Sequence, residues 1–124
     1  MNLVDSSGWL EYFGKGANGA VFAPLIQKPD ELIVPTICIY EVFKRIALLR
    51  DEEEALKAVG WMSLGKVIEL TRELSILAAA ISLEKKLPMA DSVILATAHS
   101  FNAMLWTQDE HFRGMSGVQF VEKR

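Results

Sequence analysis

The sequence has one cysteine, no long hydrophobic run and no excess of basic charge. A lone Cys38 cannot close an internal disulfide, which points to a reducing compartment. Its setting, "TICIYEVF", is that of a small buried hydrophobe. A membrane-spanning helix needs about 18 or more apolar residues, and the best candidate is interrupted by Asp91 and the Ser, Thr, His and Asn around it. The opening "MNLVDSSGWLEYF" has no basic region and meets an acid at position 5, unlike a signal peptide. The four prolines are dispersed, and there is no Ser/Gly-rich linker, repeat or low-complexity tract. A cytoplasmic, membrane-free protein with one domain over residues 1–124 is expected. The formal net charge of −3 argues against a surface that grips nucleic acid by bulk positive charge. An enzyme of nucleic acid with this composition needs local basic patches, a bound cation or a basic partner.

Several motifs are missing as well. "GKGANG" (14–19) lacks the spacing and the Lys-Ser/Thr ending of a phosphate-binding loop. No Gly-x-Ser-x-Gly elbow offers a serine nucleophile. No His/Cys set suits zinc, and His99 and His111 read as a helix-surface and a turn residue.

What is present is a 51% hydrophobic chain in which apolar runs alternate with helical patterns. "NLVD" (2–5) reads as a first strand, with Ser6 or Ser7 able to cap the short helix "GWLEYF". A weaker helical piece covers 16–28, where glycines and Pro24 intrude. "ELIV" (31–34) is a second strand, and Pro35 opens the helix "TICIYEVFKRIALLR", with Ile39, Val42, Phe43 and Ile46 on one face. A helix through "EEEALKAVGWMSL" leads to the strand "KVIEL" (66–70). Thr71 caps "RELSILAAAISLEKK", which Pro88 ends. A helix near 89–101, a strand "AMLWT" (103–107) and a fifth strand "VQFVE" (118–122) complete the chain. Strands alternating with helices predict an α/β three-layer sandwich with a mainly parallel sheet of about five strands.

Against this background four acids stand out. Asp5 is the only charge from residue 2 to 10, Glu41 the only one from Leu32 to Phe43, and Asp91 the only one from Leu87 to Gln108. Asp109 follows the fourth strand directly. Asp51, Glu52, Glu53 and Glu54, by contrast, form an ordinary acidic helix start. Each isolated acid has an ordinary explanation: a cap for Asp5, the helix dipole for Asp91, snorkelling past Ile37 and Leu48 for Glu41, a turn for Asp109. Their joint placement needs more. In an open parallel sheet, ligands gather beyond the carboxyl ends of the strands. Regular crossovers bring all four acids to that edge. Clustered carboxylates repel, and a divalent cation removes the repulsion. All-oxygen ligands suit Mg²⁺ or Mn²⁺, which can activate water and neutralise phosphate in phosphodiester hydrolysis.

Four blocks, "LVDSSGWLEYF", "PTICIYEVFKR", "ADSVILATA" and "TQDEHF", resemble in order and spacing the signature blocks of PIN-domain proteins, above all the VapC-type toxins. The resemblance runs from Asp5 to Phe112. It implies a Mg²⁺- or Mn²⁺-dependent endoribonuclease toxin acting on RNA, a VapB-type antitoxin partner that covers the active-site groove, and a homodimer. It carries the catalytic and metal-binding roles onto Asp5, Glu41, Asp91 and Asp109, with Ser6 and Thr107 supporting by hydrogen bonds. For the homodimer, "SILAAAISL" would let two helices approach closely, although its small residues could equally serve the core. Lys44, Arg45 and Arg113 are RNA-contact candidates by proximity in sequence only. The alternative is a PIN-like module that binds RNA or protein without cutting. A phosphotransfer domain fits less well: "DSS" lacks a second acid two residues after Asp5, and Lys123 is poorly placed for a receiver.

Overall fold

A computed structural model describes residues 1–124. Five strands form one sheet, all pairs parallel, in the order β3-β2-β1-β4-β5. They are β1 (Asn2–Val4), β2 (Leu32–Pro35), β3 (Lys66–Ile68), β4 (Met104–Thr107) and β5 (Val118–Phe120). The six helices are α1 (Ser6–Phe13), α2 (Gly19–Ile26), α3 (Thr36–Leu49), α4 (Glu52–Met62), α5 (Arg72–Lys85) and α6 (Met89–Ser100). Right-handed crossovers put the helices of the β1–β2 and β2–β3 connections on one face. The β3–β4 connection runs back across the sheet, so α5 and α6 cover the other. This is the expected α/β sandwich, and the elements fall within a few residues of their expected bounds. No helix is long and apolar enough to cross a membrane.

The central strands are continuously apolar because both faces are covered: Leu3, Val4, Ile33, Val34 and Leu105 are fully buried. The run around Asp91 also goes inside, since every residue of α6 from Ser92 to Ala98 is buried. On α5 only Leu74, Ala78 and Ile81 are buried, and Ala79 and Ala80 face outward. The small residues of this helix therefore serve two surfaces.

Two helix boundaries differ from expectation. The cap of α1 is Asp5, not Ser6 or Ser7: Asp5 is extended and its carboxylate accepts from the Gly8 amide. The longer carboxylate reaches the third helical amide, while both serines lie inside the helix. At the other boundary, α5 stops one turn before Pro88, at Lys86, whose φ of 57° ends the helix in the left-handed region. Pro88 instead caps α6.

Gly8 marks a close approach beneath the site. A Cβ there would lie 2.5 Å from Val4 Cγ1 and 2.8 Å from Phe22 Cε1, and both side chains are fully buried. Gly8→Ala should destabilise the protein by about 1–3 kcal/mol in urea titrations, since neither neighbour can retreat. A variant as stable as the wild type would show that this layer can yield.

Candidate active site

The order 3-2-1-4-5 makes the chain leave β1 and β4 in opposite directions, which opens a crevice at their carboxyl ends. Asp5 follows β1, and Gln108 and Asp109 follow β4. The ladder continues past β1: the Asp5 amide donates to the Trp106 carbonyl at 3.1 Å, so the first acid is fixed by the sheet itself.

The Asp5 side chain is only 3% exposed. Its Oδ1 accepts from Ser7 Oγ at 2.6 Å and from the Gly8 amide at 3.1 Å. Its Oδ2 accepts from Thr107 Oγ1 at 2.6 Å. The same Thr107 oxygen accepts the Asp109 amide at 2.9 Å, so one buried hydroxyl ties the two aspartates together. Ser6 Oγ donates to Glu41 Oε1 at 2.6 Å, linking α1 to α3. Ser6 and Thr107 thus make the expected kind of bond. Ser7, which sequence reasoning missed, also accepts the Gln108 amide at 3.2 Å.

Asp91, in the first turn of α6, contacts His111. His111 Nδ1 lies 2.6 Å from Asp91 Oδ2 and 3.4 Å from Asp109 Oδ1. Asp109 Oδ1 also accepts the His111 amide at 2.9 Å, capping the 3-10 turn Glu110–Phe112. The only signal for His111 in the sequence was its position two residues after Asp109.

Asp5 and Glu41 stand outside the trio of Asp91, Asp109 and His111, but the charges of the acids still act on one another. Burial pushes the Asp5 carboxyl up to about 6, with repulsion from Asp109 adding to it and the Ser7, Thr107 and Gly8 bonds opposing it. Glu41 is raised by burial, then by the charges of Asp91 and Asp109, against the bond from Ser6. Asp91 is raised by burial and by Asp109, against His111. His111 is raised in turn, first by its bond to Asp91 and then by the charge of Asp109. Cys38 is pushed far up by burial and by the Asp5 and Glu41 charges, so its thiol stays neutral.

No lysine or arginine pairs with any of the four acids. Arg113 is held by Glu110 and Glu122 and lies over the Phe120 ring. Lys44 lies over the Tyr40 ring, and Arg45 lines a cleft between α1, α3 and α4 together with Arg50, Glu54 and Lys57. A concentration of carboxylates short of positive charge and offering hard oxygen donors fits a small divalent cation. One ligand atom each from Asp91, Asp109 and His111 lie within 4.8 Å of one another, close enough to share an ion.

A second, buried polar cluster props the loop after β4. Asn18 Nδ2 donates to Gln108 Oε1 and to the Glu122 carbonyl, both at 2.9 Å. Gln108 Nε2 donates to Glu11 Oε1 at 3.3 Å, and Glu11 Oε2 accepts the Asn18 amide at 2.8 Å. These residues position the loop that carries Asp109.

Comparison with known proteins agrees with this fold. A profile of the PIN domain matches residues 3–118. A search of curated proteins gave no match. Among solved structures, a chain of a toxin–antitoxin complex from Klebsiella pneumoniae superposes with a TM-score of 0.81 at 25% identity, covering 100% of both chains. VapC20 of Mycobacterium tuberculosis, described as a toxin cleaving the sarcin–ricin loop, superposes with a TM-score of 0.78 at 17% identity, covering 100% of this chain and 99% of that one. A chain of VapBC2 from Rickettsia felis, solved with a promoter DNA fragment, gives 0.73 at 12% identity, covering 97% and 96%. The last two likenesses bear on the fold alone.

Proposed function

Since the chain belongs to the PIN-domain family, we propose that it is a divalent-metal-dependent endoribonuclease, the toxin of a toxin–antitoxin pair, with residues 1–124 forming one PIN domain. The observation that supports the reading is a chain of contacts beyond β1 and β4: Thr107 joins Asp5 to Asp109, and Asp109 and Asp91 both meet His111. Asp5 and Asp91 would be the firmest ligands of Mg²⁺ or Mn²⁺, with Glu41 and Asp109 completing the set. The ion would neutralise phosphate and acidify water. It would also let a chain of net charge −3 receive RNA.

The residues divide the remaining work. Glu41, half-buried and raised in proton affinity, is the group to orient the attacking water and take its proton. Ser6 holds that carboxylate in one orientation. Thr107 holds Asp5 and Asp109 at a fixed separation, so the site pays little reorganisation when substrate arrives.

The full-length likeness to a chain of a toxin–antitoxin complex supports a VapB-type antitoxin as partner. The cleft of about 470 Å³ between α1, α3 and α4, where Leu10, Phe13 and Trp61 stand beside Arg45, Arg50 and Lys57, offers such a partner a seat that is part apolar and part charged. A second copy of the chain is assigned to the outward face of α5, where Ile76, Ala79, Ala80 and Leu83 stand exposed at helical spacing.

The purified protein should cleave RNA with Mg²⁺ or Mn²⁺ and stop in chelator. At an ion concentration of a hundred times Kd, it should gain roughly 2.7 kcal/mol of stability, read as a rise in melting temperature. A melting temperature indifferent to both ions would overturn the metal site. Bound but uncut RNA across a wide screen of metals and substrates would overturn the catalytic reading.

A further inference from the structure

We infer that His111 is a nitrogen ligand of this metal centre, joining Asp91 and Asp109, and that it tunes the site toward Mn²⁺ and other imidazole-binding ions rather than Mg²⁺. The inference rests on the metal reading above and adds a residue and an ion preference to it.

Position is the first argument. The His111 Nδ1 atom is 2.6 Å from one carboxylate oxygen and 3.4 Å from another, and the three donor atoms all lie within 4.8 Å. Two donors each about 2.1 Å from a common ion stand roughly 3 to 4.2 Å apart, so only small movements separate this trio from a coordinating one. The backbone supplies the second argument. The His111 amide is bound by Asp109 Oδ1, and the next residue, Phe112, is fully buried. The imidazole therefore leaves a turn anchored on both sides and meets Asp91 across 20 residues of sequence. The ring is otherwise open, with 56% of the side chain exposed, so it can turn by the small amount that coordination requires.

Ligand chemistry gives the third argument. Mg²⁺ prefers oxygen and holds its waters, whereas imidazole suits ions further along the transition series. An imidazole added to the carboxylates makes a mixed donor set, better matched to Mn²⁺ than an all-carboxylate set would be. The opposing view is that His111 is a stand-in cation, present only until a metal displaces it. The two views predict opposite changes on removal of the ring.

The test is Mn²⁺ binding followed by electron paramagnetic resonance. Mn²⁺ on the wild type should show electron spin-echo modulation from one directly bound nitrogen. The frequencies should change when the unaltered chain is grown with ¹⁵N-histidine, a measurement that needs no variant to fold. The chain has only two histidines, so His99→Ala should keep the modulation and His111→Ala should lose it. His111→Ala should also weaken Mn²⁺ binding roughly tenfold and leave Mg²⁺ binding nearly unchanged. Bound Mn²⁺ without nitrogen modulation, or tighter binding in His111→Ala, would overturn the ligand role while leaving the carboxylate site intact. Failure of Mn²⁺ to bind the wild type, or equal binding to Asp91→Asn, would overturn the metal site itself.

Discussion

Asp5→Asn should abolish RNA cleavage and, in chelator, raise the melting temperature. The two effects have one source. Asp5 is buried beside other acids, and its folded-state value of about 6 lies above the ordinary 3.8. The native chain therefore holds this proton more tightly than the unfolded chain does. Stability from this group is greatest below about pH 4, falls as pH rises to about 6, and stays low above that. The ionised carboxylate then costs about 3 kcal/mol, at 1.36 kcal/mol for each pK unit. An amide keeps the shape and can still accept from the Gly8 amide, so the helix cap survives. It removes the charge, so the variant should melt above the wild type at pH 7–8 without metal, and the gap should close near pH 4. Added Mn²⁺ should stabilise the wild type and not the variant. Loss of one preorganised charge from such a site costs on the order of 10²–10³ in kcat. Full activity in Asp5→Asn would remove Asp5 from the site. A variant less stable than wild type at pH 8 in chelator would show that Asp5 is a structural cap and no more.

The second large effect is expected at Phe112, which touches no substrate. Its ring is fully buried under the turn that carries Asp109 and His111. Phe112→Ala should cost about 3–5 kcal/mol in urea unfolding, the range for removing a large buried aromatic. That is a large part of the roughly 5–15 kcal/mol by which a domain is stable. The loss should go beyond packing in one respect: on the proposed reading, metal stabilisation should shrink too, because the turn no longer holds Asp109 and His111 in register. Phe112→Leu, which keeps most of the volume, should cost under about 1.5 kcal/mol and retain the metal response. A Phe112→Ala variant with an undiminished metal response would show that the turn is set by the sheet alone.

Much of this architecture was legible before the structure. The alternation of strands and helices gave the parallel sheet, because residues buried on both faces must be apolar in unbroken runs. Asp5, Glu41 and Asp91 were visible because a solitary charge in such a run is costly without a purpose. What could not be read was the second layer of contacts. Ser7 and Ser6 are adjacent, and only the helix geometry decides that one serves Asp5 and the other Glu41. His111 looked like a turn residue because its partner Asp91 lies on another element. Asn18, Gln108 and Glu11 form a cluster across some 90 residues of sequence, with no spacing to betray it. Nor could sequence proximity rank the basic residues: Arg113 sits among acids, yet those acids are Glu110 and Glu122, which occupy it.

The pairing of β1 with β4 has a consequence for how the protein is made. Thr107, the hydrogen-bond partner of Asp5, leaves the ribosome 102 residues after it. Until then the first strand lacks its inner neighbour, and the proposed cation site has neither Asp109 nor the turn beyond it. On the proposed reading, a chain that folds during synthesis cannot complete its site until Asp109 and His111 have emerged. For a protein proposed to cut RNA, the pairing of β1 with β4 would hold back activity until the strand after α6 is made.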